Sequence, residues 1–175
     1  MKKLFLLGVL LISTLSFGQD LGIGKTESEI FKLLEADGFD YHGWRPDGKD
    51  GNTILTFENT SKLRCYVHMS EKKERAYESE LVIEFKTWED LLNNYNTIKS
   101  QFTTDFGKPT KNSEKFSGTY KLGDGNEIKA LENGYCIYET HFKDKDNTLY
   151  ELTINKDNEY SKARILIVAT NKKYL

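Results

Sequence analysis

The chain has 175 residues, with 25 basic and 27 acidic side chains and a formal net charge of −2. Because the two signs are interleaved and no basic stripe could neutralise a row of phosphates, nucleic acid is excluded as a partner. Thirty per cent of the residues are charged, as on a well-solvated surface, and residues 19–175 suffice for a single α+β domain with a buried core.

The first 18 residues predict a secretory signal. Two lysines are followed by an almost wholly apolar run at residues 4–15, and Ser16 and Gly18 occupy the −3 and −1 positions of a cut before Gln19. The run is too short to span a bilayer as a stable helix, and we expect no other membrane span and no lipid anchor at the cut. The sequence therefore predicts a soluble protein that is periplasmic or secreted.

The first element predicted after the signal is a helix over about Glu27–Asp37. Thr26 and Glu29 have the spacing of a capping box, apolar residues follow at helical spacing, and Gly38 is a natural stop. The next segment, Tyr41–Asn52, contains Pro-Asp-Gly and Asp-Gly turn sequences. It is therefore predicted to be a loop.

Three strands and a long helix are predicted next. The strands are Thr53–Phe57, Leu63–Met69 and Glu80–Lys86, and the last of them alternates clearly between apolar and charged residues. Thr87 has the position of an N-cap, and a helix with one apolar face is predicted from there to about Phe106.

The last third of the chain is predicted to be strands at Phe116–Lys121, Glu127–Leu131, Tyr135–Phe142, Leu149–Ile154 and Ala163–Thr170. The final run is almost wholly apolar, as in a central strand. The element order predicts an α+β fold with one antiparallel sheet of about seven or eight strands and two helices packed on one face. The same order is compatible with a tandem repeat of an α-then-β unit.

A resemblance to known proteins rests on the segment Gly24–Leu34, which has the motif G-K-T-x-x-E-I-x-x-L-L. Followed by strands, it resembles small bacterial envelope domains of the β-lactamase-inhibitor-protein-like type and the small outer-membrane assembly lipoproteins of similar shape. Tyr95–Phe106, running into Gly107–Pro109, has a similar character, whereas the lipid-anchor cysteine of the assembly proteins is absent. The resemblance implies binding through the sheet face opposite the helices and carries over no specific contact residue.

A mixture of rings, histidines and charges on the outward side of the strands is typical of a protein-binding surface. The predicted loop before the first strand adds a tryptophan and an arginine, which are favoured interface anchors. The candidate binding residues are Tyr41, Trp44, Arg45, Arg64, Tyr66, His68, Glu139 and His141. The alternative is a solvated sheet face with the tryptophan folded back onto the core.

The two cysteines, Cys65 and Cys136, both share strand faces with apolar residues that point to the core. Outside the cytoplasm such a pair can form one disulfide if the two strands are neighbours. The alternative is two separate buried thiols.

No metal site and no cofactor are predicted. Cys65 and His68 are three residues apart, and Cys136 and His141 are five apart, so each pair points to opposite faces of its strand and cannot supply zinc. Asp144–Thr148 lacks the glycine and glutamate positions of a calcium loop and is predicted to be a hairpin turn.

Catalytic patterns are weak as well. The cysteines lie in mid-strand and no Gly-x-Ser-x-Gly elbow occurs, while Glu80 and Glu84, with Glu139 on another strand, are the available carboxylates for glycoside hydrolysis. The sequence therefore favours an exported binding module, protein-binding or inhibitor-like, with a partner in the cell envelope or outside. The alternatives are a small envelope hydrolase, or a glycan or small-molecule carrier that stacks its ligand on Trp44 and Tyr41.

Overall fold

The computed structural model describes residues 21–48, 51–156 and 163–175. The predicted signal at residues 1–18 lies outside these ranges. Within them the chain forms one eight-stranded antiparallel sheet with three helices on one face, which confirms the predicted α+β class. None of the helices in this part of the chain has the length and apolar character needed to cross a membrane.

The helices are α1 (Glu27–Ala36), α2 (Trp88–Phe106) and α3 (Glu127–Glu132), and a 3₁₀ turn at Lys172–Tyr174 follows the last strand. The strands are β1 (Phe39–Pro46), β2 (Thr53–Asn59), β3 (Arg64–Ser70), β4 (Arg75–Phe85), β5 (Lys111–Phe116), β6 (Cys136–Lys143), β7 (Leu149–Lys156) and β8 (Ala163–Thr170). Their order across the sheet is β1-β2-β3-β4-β8-β7-β6-β5.

The order contains the same unit twice, a helix followed by four strands. Each unit forms one half of the sheet, and the last strands of the two units, β4 and β8, pair antiparallel at the centre. This is the predicted tandem arrangement, with α3 as an insertion in the second unit. The first strand of each unit therefore becomes an edge of the sheet.

Both long helices begin where the sequence predicts. The Glu29 carboxylate accepts a hydrogen bond from the Thr26 backbone N–H at 2.8 Å, and the Thr87 hydroxyl accepts one from the Asp90 N–H at 3.1 Å. Along α2, one apolar stripe packs on the sheet; its members are the buried residues Leu91, Tyr95, Ile98 and Phe102. Periodicity of 3.6 residues therefore fixes which side of α2 meets the strands.

Several segments differ from the predictions. Tyr41–Asn52 is not a loop throughout, because β1 continues to Pro46; Tyr41 packs on Phe31 and Phe57, with ring centroids 4.8 and 5.5 Å away. A bulge between Tyr41 and Gly43, where Gly43 has φ of 122°, keeps the rest of the strand paired with β2.

The second difference is α3, which replaces the predicted strand at Glu127–Leu131. The Asp124 carboxylate accepts hydrogen bonds from the backbone N–H groups of Lys121 and Asn126, and this turn leads directly into the helix. The helix then buries Ala130 and Leu131. The predicted strand at Phe116–Lys121 is also wrong in its bounds, because β5 ends at Phe116 and a turn follows.

Candidate functional site

Opposite the helices, the sheet presents a second surface that we call the helix-free face. Directly paired residues of neighbouring strands lie on the same face, so the register across the sheet defines its members. Its members on the inner strands include Ile54, Thr56, Arg64, Tyr66, His68, Glu78, Glu80, Val82, Glu84, Arg164, Leu166, Val168, Thr170, Glu151 and Thr153, with Ile137, Glu139, His141 and Lys111 towards one edge and Arg45 towards the other.

The predicted binding residues fall into three places. Arg64, Tyr66 and His68 share the helix-free face on β3, as predicted, although His68 is only 8% exposed. Glu139 and His141 share that face on β6. Four strand spacings, roughly 19 Å, separate β3 from β6, so these residues form two groups and not one.

The remaining predicted residues lie on edge strand β1. Trp44 pairs with Leu55 and Tyr41 pairs with Phe57, so both aromatic rings are on the helix side of the sheet. Of the three, only Arg45, through its pairing with Ile54, is on the helix-free face. Trp44 is 65% exposed and is not folded back onto the core.

His68 is surrounded by three carboxylates. Its Nδ1 lies 3.4 Å from Asp47 Oδ2, and its Nε2 lies 3.7 Å from Glu78 Oε1 and 3.5 Å from Glu80 Oε1. Burial lowers the pKa of His68, but the carboxylates of Glu80, Glu78 and Asp47 raise it by more, so the pKa ends above its ordinary value. We call His68, Asp47, Tyr77, Glu78 and Glu80 the His68 cluster.

Tyr77 contacts both His68 and Asp47 within this cluster. A bulge in the β3–β4 ladder leaves Tyr77 between the paired positions of Ala76 and Glu78, and its ring packs edge-on against His68 at 5.9 Å. The Tyr77 hydroxyl donates a hydrogen bond to the Asp47 carboxylate. Burial, followed by this contact with Asp47, raises the pKa of Tyr77, so the phenol stays protonated and remains a donor.

An apolar strip crosses the centre of the helix-free face. Val82 on β4 pairs with Leu166 on β8, and Val168, two residues further on, pairs with Glu80. Val82 is buried, whereas Leu166 and Val168 remain half-buried with no helix above them among the described elements. The strip is therefore bordered on one side by the carboxylates of β4.

The group on β6 is an ion-pair network at the other end of the face. Glu139 accepts hydrogen bonds from Lys111 Nζ at 2.6 Å and from His141 Nε2 at 2.6 Å. The bond from Lys111, assisted by His141, lowers the pKa of Glu139 below its ordinary value of 4.5. The negative form of Glu139 is therefore favoured in the folded state.

This shift predicts a pH-dependent contribution to stability. Because the folded pKa of Glu139 lies below the unfolded one, its contribution is complete above pH 4.5 and is lost as the pH falls through the folded value. We expect Glu139→Gln to lower the free energy of unfolding at pH 7 by about 0.2–1 kcal/mol, as for a solvent-screened pair. Denaturant unfolding of Glu139→Gln and of the unaltered chain, compared between neutral and strongly acidic pH, should show this difference disappear. A constant difference across that range would contradict the assignment.

Of the two alternatives left open for the cysteines, the structure shows two separate thiols, and its strand order also separates the members of the rejected zinc set. Cys65 and Cys136 are both free, because they lie on β3 and β6, far beyond the Cα separation of about 7 Å that a disulfide bridges. The same strand order keeps Cys65 and His68 away from Cys136 and His141. In Asp144–Thr148, the Asp144 carboxylate accepts hydrogen bonds from the N–H groups of Asp146 and Thr148, which confirms the hairpin turn.

The carboxylates considered for glycoside hydrolysis are not brought together. Glu80 and Glu84 lie on one face of β4, but four residues of strand place them roughly 13 Å apart. Glu84 is paired with Arg64, and Glu139 lies three strands away on β6. Retaining and inverting glycosidases need carboxylates within about 5–9.5 Å, so this set does not form such a pair.

Sequence reasoning missed most of the His68 cluster. The predicted third strand begins at Glu80, which leaves Tyr77 and Glu78 outside the sheet, and the loop that holds Asp47 gave no indication of which side chain its carboxylate would contact. The available signal was the alternation of Glu78, Glu80, Val82 and Glu84, which continues the strand pattern towards its N-terminus. Alternation does not reveal which residues of another strand lie opposite, and so could not place these side chains beside His68.

Comparison with known protein families, with curated proteins and with solved structures gave no match. The helix-free face and the His68 cluster are therefore the features on which a function can be proposed.

Proposed function

We propose that this chain is an exported binding module that engages a protein partner through the helix-free face. The observation that carries the proposal is the half-buried strip of Leu166 and Val168, which lies beside a row of carboxylates on β4. Apolar area surrounded by polar and charged residues is the usual composition of a protein-binding patch.

The charges define the kind of partner. Within the described part of the chain, no lysine or arginine lies within 4.0 Å of Glu78 or Glu80, and the imidazole of His68 is the basic group beside them. A partner that places an apolar side chain on Leu166 and Val168 and basic side chains beside these glutamates would complement the surface. The partner is accordingly a protein segment with apolar and basic residues.

Two sequence features support the location and the mode of binding. The predicted signal at residues 1–18 would deliver the chain to the periplasm or outside the cell. The resemblance to inhibitor-like envelope domains implies contact through this same face.

Binding is favoured over the alternatives by the form of the surfaces. The groove along the outer side of α2 is shallow and is lined by uncharged side chains that offer no group for acid–base catalysis; they are Asn96, Thr97, Ser100, Gln101 and Thr104. A carrier that stacks a ligand on Trp44 and Tyr41 is disfavoured, because the Tyr41 ring is already packed on Phe31 and Phe57.

The proposal is tested in two steps: photo-crosslinking identifies the partner, and a matched pair of aromatic substitutions then locates the contact surface. A photo-crosslinking residue at Val168 should capture one protein from an envelope extract, whereas the same residue at Asn96 on α2 should not. Once that protein is purified, we expect Tyr66→Ala to weaken its binding about tenfold or more, as for an interface side chain worth more than about 1.4 kcal/mol. Trp44→Ala removes a larger ring from the helix side and should leave the affinity unchanged.

Titration calorimetry with the captured protein gives these affinities, and thermal unfolding of each variant separates lost contact from lost fold. Equal crosslinking from Val168 and Asn96, or an effect of Trp44→Ala as large as that of Tyr66→Ala, would exclude the helix-free face as the contact surface.

A further inference from the structure

We propose that His68, Glu78 and Glu80 form a binding site for one divalent transition-metal ion of the zinc class. The site goes beyond the proposed protein binding and needs no partner. Each residue offers one ligand atom, and the three atoms lie within 4.8 Å of one another.

The separations match metal coordination better than hydrogen bonding. Glu78 Oε1 is 3.7 Å and Glu80 Oε1 is 3.5 Å from His68 Nε2, whereas a good hydrogen bond from nitrogen to oxygen is about 2.7–3.2 Å long. Zinc lies about 2.0–2.2 Å from its nitrogen and oxygen ligands, so the edge of its coordination tetrahedron is about 3.4 Å. Small side-chain movements would bring the three atoms to that spacing.

The backbone holds the three ligands without a flexible loop. His68 pairs directly with Glu78 in the β3–β4 ladder, and Glu80 is two residues further along β4 on the same face. All three positions therefore belong to adjacent central strands, where the ladder hydrogen bonds fix the Cα positions. Sites on such rigid elements keep their geometry better than sites on loops.

The second nitrogen of His68 supplies independent support. His68 is 8% exposed, and its buried Nδ1 makes no hydrogen bond with any described residue. The Asp47 carboxylate lies 3.4 Å from this atom, too far for a well-formed bond, and is itself held by the Tyr77 hydroxyl. Histidine ligands of metals donate their other N–H to a carboxylate, and Asp47 is in position to accept it once the ring shifts onto a metal.

The carboxylates are also oriented for the ion. Thr170 Oγ1 donates a hydrogen bond to Glu78 Oε2 at 3.2 Å, which leaves Oε1 directed at His68. The side chains of Glu78 and Glu80 are 29% and 33% exposed. A bound cation would thus offset the mutual repulsion of the two glutamates and keep at least one coordination position open to water.

The ligand types decide the class of metal. One imidazole nitrogen with two carboxylate oxygens suits zinc and similar transition-metal ions, whereas calcium and magnesium prefer sites made of oxygen alone. We therefore expect zinc or cobalt to bind and calcium or magnesium to compete weakly.

The test uses the chain without its predicted signal, treated with a chelator and then titrated with Co²⁺ as a spectroscopic probe and with Zn²⁺ in competition. We expect one ion per chain, with visible absorption bands of low-coordinate Co²⁺. Glu80→Gln and His68→Gln should each weaken binding by about a hundredfold or more, and Asp47→Asn by about tenfold, as for an outer partner of a ligand.

His141→Gln is the matched control, because His141 and Glu139 form a second histidine–glutamate pair on the same face, beside which no third ligand lies among the residues that the structure describes. It should bind Co²⁺ as tightly as the unaltered chain. Circular dichroism checks the fold of each variant. If His68→Gln unfolds, Glu80→Gln still tests whether the site binds the metal, because Glu80 is half-exposed and its substitution should leave the fold intact. Absence of binding at millimolar metal, binding undiminished in Glu80→Gln, or preference for Ca²⁺ or Mg²⁺ would overturn the proposal.

Discussion

Replacing Phe102 with alanine is expected to lower the free energy of unfolding by about 3–5 kcal/mol. Phe102 is fully buried in the C-terminal half of α2, where its ring meets Phe106, Phe142 and Tyr150 at centroid distances of 5.3, 5.5 and 5.9 Å. The substitution removes the whole ring from a close-packed layer between α2 and the second half of the sheet.

The expected loss is a large fraction of the total free energy of unfolding. Net stabilities of folded proteins are about 5–15 kcal/mol, so the variant should unfold at a much lower denaturant concentration. Trp44→Ala is the control, since its ring is 65% exposed and substitutions of exposed side chains usually change stability by no more than about 0.5 kcal/mol. If both variants unfold with the midpoint of the unaltered chain, α2 does not pack on the sheet as described.

The second large effect concerns the thiol of Cys65. Burial, assisted by the charge of Glu80, raises its pKa from 9.0 to about 12. Only the thiolate reacts with alkylating reagents, so the reactive fraction at mildly alkaline pH is about a thousandfold smaller than for an ordinary cysteine. We expect Cys65 to resist iodoacetamide in the folded chain and to react readily in denaturant.

Cys136 provides the internal comparison. Burial raises its pKa to about 11 and its side chain is only half-buried, so it should react before Cys65 but still slowly. Peptide mass spectrometry after a timed exposure gives both rates in one sample. The intact mass should be the same with and without reductant, and a mass lower by two hydrogens before reduction would contradict the free state of both thiols.

Those elements that carry a complete local signal were predicted from sequence. The caps Thr26 and Thr87 and the 3.6-residue spacing of apolar side chains define α1 and α2, and the almost wholly apolar run of β8 indicates its central position. In each case the neighbours along the chain determine the structure, so one sequence is sufficient.

Elements that depend on distant contacts were not predicted. β1 contains a glycine bulge and leads into turn residues, and becomes a strand because β2 offers an edge and Tyr41 finds Phe31 and Phe57. For α3, a short segment rich in charge becomes helical as Ala130 and Leu131 are buried beside α2 and β6. Tertiary packing outweighs local propensity in both segments.

The candidate site was also predictable only where the signal is local to one strand. Alternation along β3 placed Arg64, Tyr66 and His68 on one face, as the structure confirms. Strand order cannot be obtained from alternation, which is why Cys65 and Cys136 were considered as neighbours although three strands lie between theirs. The position of Glu78 opposite His68 also depends on a bulge in β4, which the alternation of apolar and polar residues along the strand does not indicate.

The pairing of β4 with β8 has a consequence for shortened forms of the chain. These strands are the last of their units and run antiparallel, so a local two-fold rotation relates one half of the sheet to the other. A fragment that stops after β4 would expose the edge that β8 normally covers, with Leu81 and Ile83 along it. The exposed β4 strands of two such fragments can pair antiparallel with each other, as β4 pairs with β8 in the intact chain. Truncation at this junction therefore favours self-association over a stable monomer.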